Sequence, residues 1–126
     1  MESAGSITYA YLETSNFCNL NCVLCNRRYV VKHPRHMSLD EWDIILDKLS
    51  SQPVNEAKLM GLGEPFLHPD FHEICRRFKK TFPSAFTITA TNCQYKLNDN
   101  FIKTLPSIDL LYLSVDGYEE SYEKNR

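Results

Sequence analysis

The chain has 126 residues, 43% hydrophobic and 24% charged, with a formal net charge of -2. That is the profile of a globular chain long enough for one core, with no basic excess for nucleic acid and no apolar run near the ~20 residues of a membrane span. Five cysteines, an odd count with no signal-peptide pattern ahead of them, exclude a disulfide framework and point to a reducing compartment, so a cytoplasmic location is expected.

In chain order, the small and polar Met1–Ser6 segment is expected to be a mobile start or a cloning remnant. Ile7 to Glu13 is rich in β-branched and aromatic residues and reads as a strand. A loop follows, carrying Cys18-Asn-Leu-Asn-Cys22-Val-Leu-Cys25 among Asn16, Asn19 and Asn21. Ser38 and Glu41 form a capping-box pattern, and Leu39, Trp42, Ile45, Leu46 and Leu49 recur at helical spacing to about Ser50. Glu56 to Leu62 reads as a second strand. Pro69 suits a first helical position, and Phe71, Ile74, Cys75, Phe78 and Phe82 make one apolar stripe, so Cys75 reads as a core thiol. Phe86 to Thr91 is a third strand, and Asn98 to Leu105 a short helix stopped by Pro106. Ile108 to Val115 is a fourth strand, nearly continuous in apolar character, as in strands buried on both faces. Tyr118 to Arg126 begins a further helix.

This alternation implies βαβ crossovers and a parallel α/β sheet, in which ligands bind at the carboxyl ends of the strands. Candidate functional residues do fall there: the cysteine loop after the first strand, Gly61-Leu-Gly63-Glu64-Pro65 after the second, Thr91-Asn92 after the third and Ser114-Val-Asp116-Gly117 at the fourth. Soft thiolates suit iron, and three on one loop can hold three irons of a [4Fe–4S] cube, leaving the fourth iron open. The rival reading of Cys18, Cys22 and Cys25 is zinc, completed by His33 or His36. The glycines permit close approach of backbone to a ligand, and Pro65 stiffens the turn. His68 and His72 are read as loop anchors and Arg27–Arg28 as a solvated pair able to steer an acidic reductase.

Taken together, these motifs resemble the radical S-adenosylmethionine (radical SAM) enzymes over Glu13 to Arg126. The resemblance implies a parallel (β/α) partial TIM-like barrel with about four of its six repeats present. Residues 1–126 would then be the N-terminal portion of a radical SAM core domain, truncated and inactive alone. It also implies the site. Cys18, Cys22 and Cys25 would ligate the cluster, and the open iron would chelate S-adenosyl-L-methionine. Leu24 would pack on the adenine, the segment Gly61, Gly63, Glu64 and Pro65 would bind the methionine amino group, and Ser114 with Arg126 would hold its carboxylate. Asn92 and Asp116 would complete the cofactor contacts, and no catalytic side chain is assigned. Reductive cleavage would yield a 5′-deoxyadenosyl radical that takes hydrogen from a substrate, either a peptide or a small molecule. The electron donor would be flavodoxin- or ferredoxin-like. The alternative is a non-catalytic zinc or iron–sulfur electron-transfer module. Two departures stand out: Leu62 interrupts the glycine pair, and Cys93 occupies a turn position where the family often has Gly. The apolar fourth strand, with no fifth beside it, is expected to leave an edge prone to self-association.

Overall fold

A computed structural model describes residues 7–126, so the expected mobile start at residues 1–6 lies outside the described residues. The strands are β1 (Ile7–Tyr11), β2 (Val54–Lys58), β3 (Phe86–Thr91) and β4 (Leu110–Leu113). The helices are α1 (Arg27–Val30), α2 (Leu39–Leu49), α3 (Phe71–Thr81), α4 (Asp99–Thr104) and α5 (Glu120–Asn125), with 3-10 turns at Pro65–Leu67 and Leu105–Ser107. All strands are parallel and their spatial order follows the chain, β1-β2-β3-β4. The expected α/β partial barrel is therefore present. A doubly wound sheet reverses its strand order; this one does not, so right-handed crossovers place the helices on one face.

The register shows the consequence. Ala10 pairs with Ala57, Ala57 with Thr87, and Thr89 with Leu111. The Ala10, Ala57, Leu59, Thr87, Thr89 and Thr91 face is buried beneath the helices. Tyr9, Tyr11, Phe86 and Tyr112, which point the other way by the period of two, are exposed. The core lies between the covered face and α2–α3. Trp42, Phe71, Ile74 and Phe78 are fully buried there, each side chain contributing roughly 2–3 kcal/mol. The Trp42 indole donates to Ile74 O at 3.0 Å, so its one polar atom is satisfied. Cys75 is fully buried among them, and burial pushes its thiol pKa up, as a core thiol requires.

The capping box forms as read: Ser38 Oγ accepts from Glu41 N, and Glu41 Oε2 accepts from Ser38 N at 2.8 Å. Other boundaries need correction. β2 is Val54–Lys58 and not Glu56–Leu62: Leu59 N still donates to Ile88 O at 2.8 Å, but Gly61-Leu-Gly63 turns off the ladder toward the cysteine loop. β1 likewise ends at Tyr11, short of Glu13. Pro69 does not start the third helix, which begins at Phe71 after Asp70; the proline in a first helical position is Pro65. The short helix α1 after Cys25 carries no apolar stripe, and sequence periodicity did not reveal it. β4 is not buried on both faces: it is the outermost strand, with Leu113 at 61% and Tyr112 at 48% exposure.

Candidate functional site at the strand ends

A cavity of about 350 Å³ opens at the carboxyl ends of the strands. Cys18, Cys22, Leu24 and Cys25 line it from the first loop, Gly61, Gly63, Glu64 and Pro65 from the second, Asn92 from the third, and Ser114, Asp116 and Arg126 from the fourth strand and α5. Every residue assigned above to the cluster or its ligand thus lines one cavity. Met60, Leu62, Ala90 and Thr91 complete it.

The second loop is locked to the first by backbone. Glu64 N donates to Phe17 O at 2.8 Å. A Cβ on Gly63 would stand 2.5 Å from both Ser15 O and Phe17 O, so only glycine allows the two loops this close. Glu13 Oε1 accepts from Leu62 N at 2.6 Å and fills the space beside Gly61. In the sequence Glu13 is only the end of a strand; nothing local shows that its carboxylate closes a loop forty-nine residues away.

Glu64 is buried, and its carboxylate faces the protein. It accepts from Thr91 Oγ1 at 2.8 Å, Asn92 N at 2.7 Å and Phe66 N at 3.3 Å. Burial raises its pKa, and these hydrogen bonds offset part of the rise. Its side chain therefore ties β3 to the glycine loop. Asn92 is also buried: Oδ1 accepts from Gln94 N at 2.8 Å, and Nδ2 donates to Asn19 Oδ1 at 2.8 Å and toward Cys18 Sγ at 3.8 Å. The following residue, Cys93, has φ of 59°, so the turn does take the left-handed conformation that glycine favours. Cys93 is exposed and does not line the cavity.

From the opposite side, α5 docks on the cysteine loop. Val23 N donates to Asn125 O at 3.0 Å. Arg126 lies against Asp116 Oδ2 at 2.7 Å, donates to Ser114 O at 2.8 Å, and reaches Cys22 Sγ at 3.4 Å. Its Nε is buried with no partner among the described residues, and so is Thr14 Oγ1. Leu24 is 91% exposed at the cavity mouth, where an apolar side chain has nothing of this chain to cover it.

The histidines stand elsewhere. His36 Nδ1 bonds Ser15 Oγ at 2.8 Å and its ring lies 4.9 Å from that of His68. Burial and then the second imidazole lower the His36 pKa. His68 anchors its loop through Met37 O at 2.7 Å and Asp70 N at 3.0 Å, as its loop-anchor reading expected. His72 bonds Asn100 Oδ1 at 2.9 Å. Neither His33 nor His36 lines the cavity, so the zinc set of three cysteines with either histidine is not assembled. Among the described residues, no three Cys, His, Asp or Glu side chains stand together around a single ion. The arrangement offers three soft sulfurs on one wall, N–H donors aimed at two of them, and an Arg with an unpartnered buried N–H. That set fits an iron–sulfur cluster with an anionic ligand beside it.

The model of the radical SAM superfamily matches residues 12–126. Among curated relatives, the tungsten-containing aldehyde ferredoxin oxidoreductase cofactor-modifying protein of Pyrococcus furiosus is 33% identical over 113 residues, covering 86% of this chain and 30% of that protein. The probable GTP 3′,8-cyclase of Pyrococcus abyssi is 26% identical over 118 residues, covering 94% of this chain and 38% of that one. Among solved structures, Streptococcus suis SuiB bound to S-adenosylmethionine superposes with a TM-score of 0.76 at 18% identity, covering 95% of this chain and 28% of SuiB. The chain thus spans about a third of the length of these relatives.

Proposed function

The chain belongs to the radical SAM superfamily, whose cofactors are a [4Fe–4S] cluster and S-adenosyl-L-methionine, and from that premise we propose that its strand-end cavity binds both and serves a radical reaction on a peptide or small-molecule substrate. When bound, the cluster would supply one electron to split S-adenosylmethionine and release a 5′-deoxyadenosyl radical. The chain's own residues would do the rest. Cys18, Cys22 and Cys25 would hold the cluster. Gly61, Gly63 and Pro65 would present backbone to the methionine amino group, with Glu64 bracing that turn from behind. Arg126 would offer its unpartnered Nε–H to the carboxylate beside Ser114, while Asp116 holds the guanidinium in place. Exposed Leu24 would cover the adenine, while Asn92, expected as a cofactor contact, turns its amide to Asn19 and Cys18 and would stand behind the cysteine loop.

The observation that carries this reading is the convergence of three cysteines and nine other sequence-selected residues on one cavity, from loops more than a hundred residues apart. The electron would come from a flavodoxin- or ferredoxin-like donor in the cytoplasm. Arg27 is partly committed to Leu20 O and Asn21 Oδ1, which leaves Arg28 the freer of the pair to meet an acidic donor. Among the described residues no helix is long and apolar enough to cross a membrane. Residues 12–126 would be the N-terminal part of the enzyme's core domain, with substrate choice set outside it. Anaerobic reconstitution tests the reading: about four irons and four sulfides per chain are expected, with S-adenosylmethionine binding to the loaded protein. Stoichiometric zinc with no iron uptake would overturn it, and a loaded cluster that binds no S-adenosylmethionine would make the chain an electron-transfer module.

A further inference from the structure

The two buried groups at the end of β3 form a strut that ends on a sulfur. Glu64 fixes the backbone of Asn92 through Asn92 N at 2.7 Å. Gln94 N then occupies Asn92 Oδ1 at 2.8 Å, across a turn in which Cys93 has φ of 59°. With the amide oxygen taken, the orientation of the side chain is determined. Nδ2 must face the cysteine loop, where it meets Asn19 Oδ1 at 2.8 Å and Cys18 Sγ at 3.8 Å. Asn19 Nδ2 returns a hydrogen bond to Gln94 O, closing the ring of contacts. Asn92 is 6% exposed and Glu64 3%, so water competes poorly for these bonds. Each polar atom of the Asn92 side chain thus has a partner inside the protein.

We infer that Asn92 is a positioning residue for Cys18, acting on the cluster through that sulfur and not on S-adenosylmethionine. The amide sets the sulfur's place and donates hydrogen to it. Donation to a ligand sulfur stabilises the more negative, reduced cluster and raises its potential. Cys22 has its own donor in Arg126, the residue proposed above to meet the carboxylate, so its contact with sulfur would be coupled to that ligand. Asn92 is not, so its effect on potential is separable from cofactor binding.

The inference rests on the cluster reading of Cys18, and its test distinguishes the two. The reconstituted chain is titrated potentiometrically, and S-adenosylmethionine affinity is measured on the same samples. Asn92→Leu removes the donor. At the wild-type midpoint, its ratio of reduced to oxidised cluster should fall at least about threefold, with affinity for S-adenosylmethionine changed by less than about twofold. Asn92→Asp keeps the shape and the acceptor for Gln94 N, so it preserves the turn, and it sets a carboxylate toward the sulfur. Its potential should fall further than that of Asn92→Leu. Continued protection of the Cys75 thiol from alkylation shows that either variant is folded. A folded variant that no longer holds iron also supports the inference. Unchanged potential in both variants overturns it, as does a tenfold loss of S-adenosylmethionine affinity at unchanged potential. Wild-type protein that takes up no iron would instead overturn the cluster reading.

Discussion

Of the concave regions of this molecule, the groove between α2 and α3 and the strand-end cavity differ most in chemistry, and the larger of the two is the less informative. A groove of about 640 Å³ runs between α2 and α3, nearly twice the volume of the strand-end cavity. Four of its six charged side chains are matched to one another. Glu73 bonds both Arg76 and Arg77, and Arg77 reaches Asp43 at 2.6 Å. The strand-end cavity holds unmatched chemistry: three thiols, an unpartnered Arg126 Nε and backbone from a glycine turn. Volume measures how surfaces curve, whereas unsatisfied groups measure what a ligand could gain.

The comparison breaks first on the cysteines. Replacing Cys18, Cys22 and Cys25 together by Ala should take iron from about four per chain to none, read by colorimetric assay, with circular dichroism unchanged; retained iron would move the site elsewhere. Next is Gly63→Ala. Its Cβ would press on two carbonyl oxygens of the backbone, an overpacking cost of about 1–3 kcal/mol. Denaturant titration should show that loss, and no loss would mean the loops are not in contact. Gly61→Ala should cost less, because it meets only the flexible side chain of Glu13.

Glu64 sharpens the contrast through pH. Burial raises its folded-state pKa above the unfolded value. Its contribution to stability is then fully present below the ordinary carboxylate range and is lost as pH rises through the raised pKa. Thermal melts of wild type should rise from this group between neutral pH and the carboxylate range, and Glu64→Gln should flatten that slope while losing about 1 kcal/mol at neutral pH. An unaltered slope would mean the carboxylate is not desolvated. Glu73 in the groove has the opposite sign. Arg76 and then Arg77 hold its pKa down to about 2, so its contribution is present above the ordinary carboxylate range and is lost as pH falls toward about 2. Being a solvated ion-pair set, it should matter least: Glu73→Gln should cost no more than about 1 kcal/mol and leave iron uptake unchanged. A change in iron uptake would give the groove a role it lacks here.

Much of this was legible in the residues themselves. The capping box, the apolar stripe of α3 and the alternation of strands with helices arise from neighbours within one turn or one pleat, where the sequence determines both partners. The cysteine spacing and the glycine turn likewise carry their chemistry locally. Tertiary structure alone decided the rest. It set which sheet face is covered, because Tyr9 and Phe86 are as apolar as the residues that are buried, and strand order chose between them. It turned the Glu64 carboxylate away from the cavity and onto Asn92, twenty-eight residues on, and closed the second loop with Glu13. It also brought Arg126 across 104 residues to Cys22. The physical reason is one of range: a hydrogen bond or buried contact constrains two groups in space, and only the folded backbone determines which distant groups share that space.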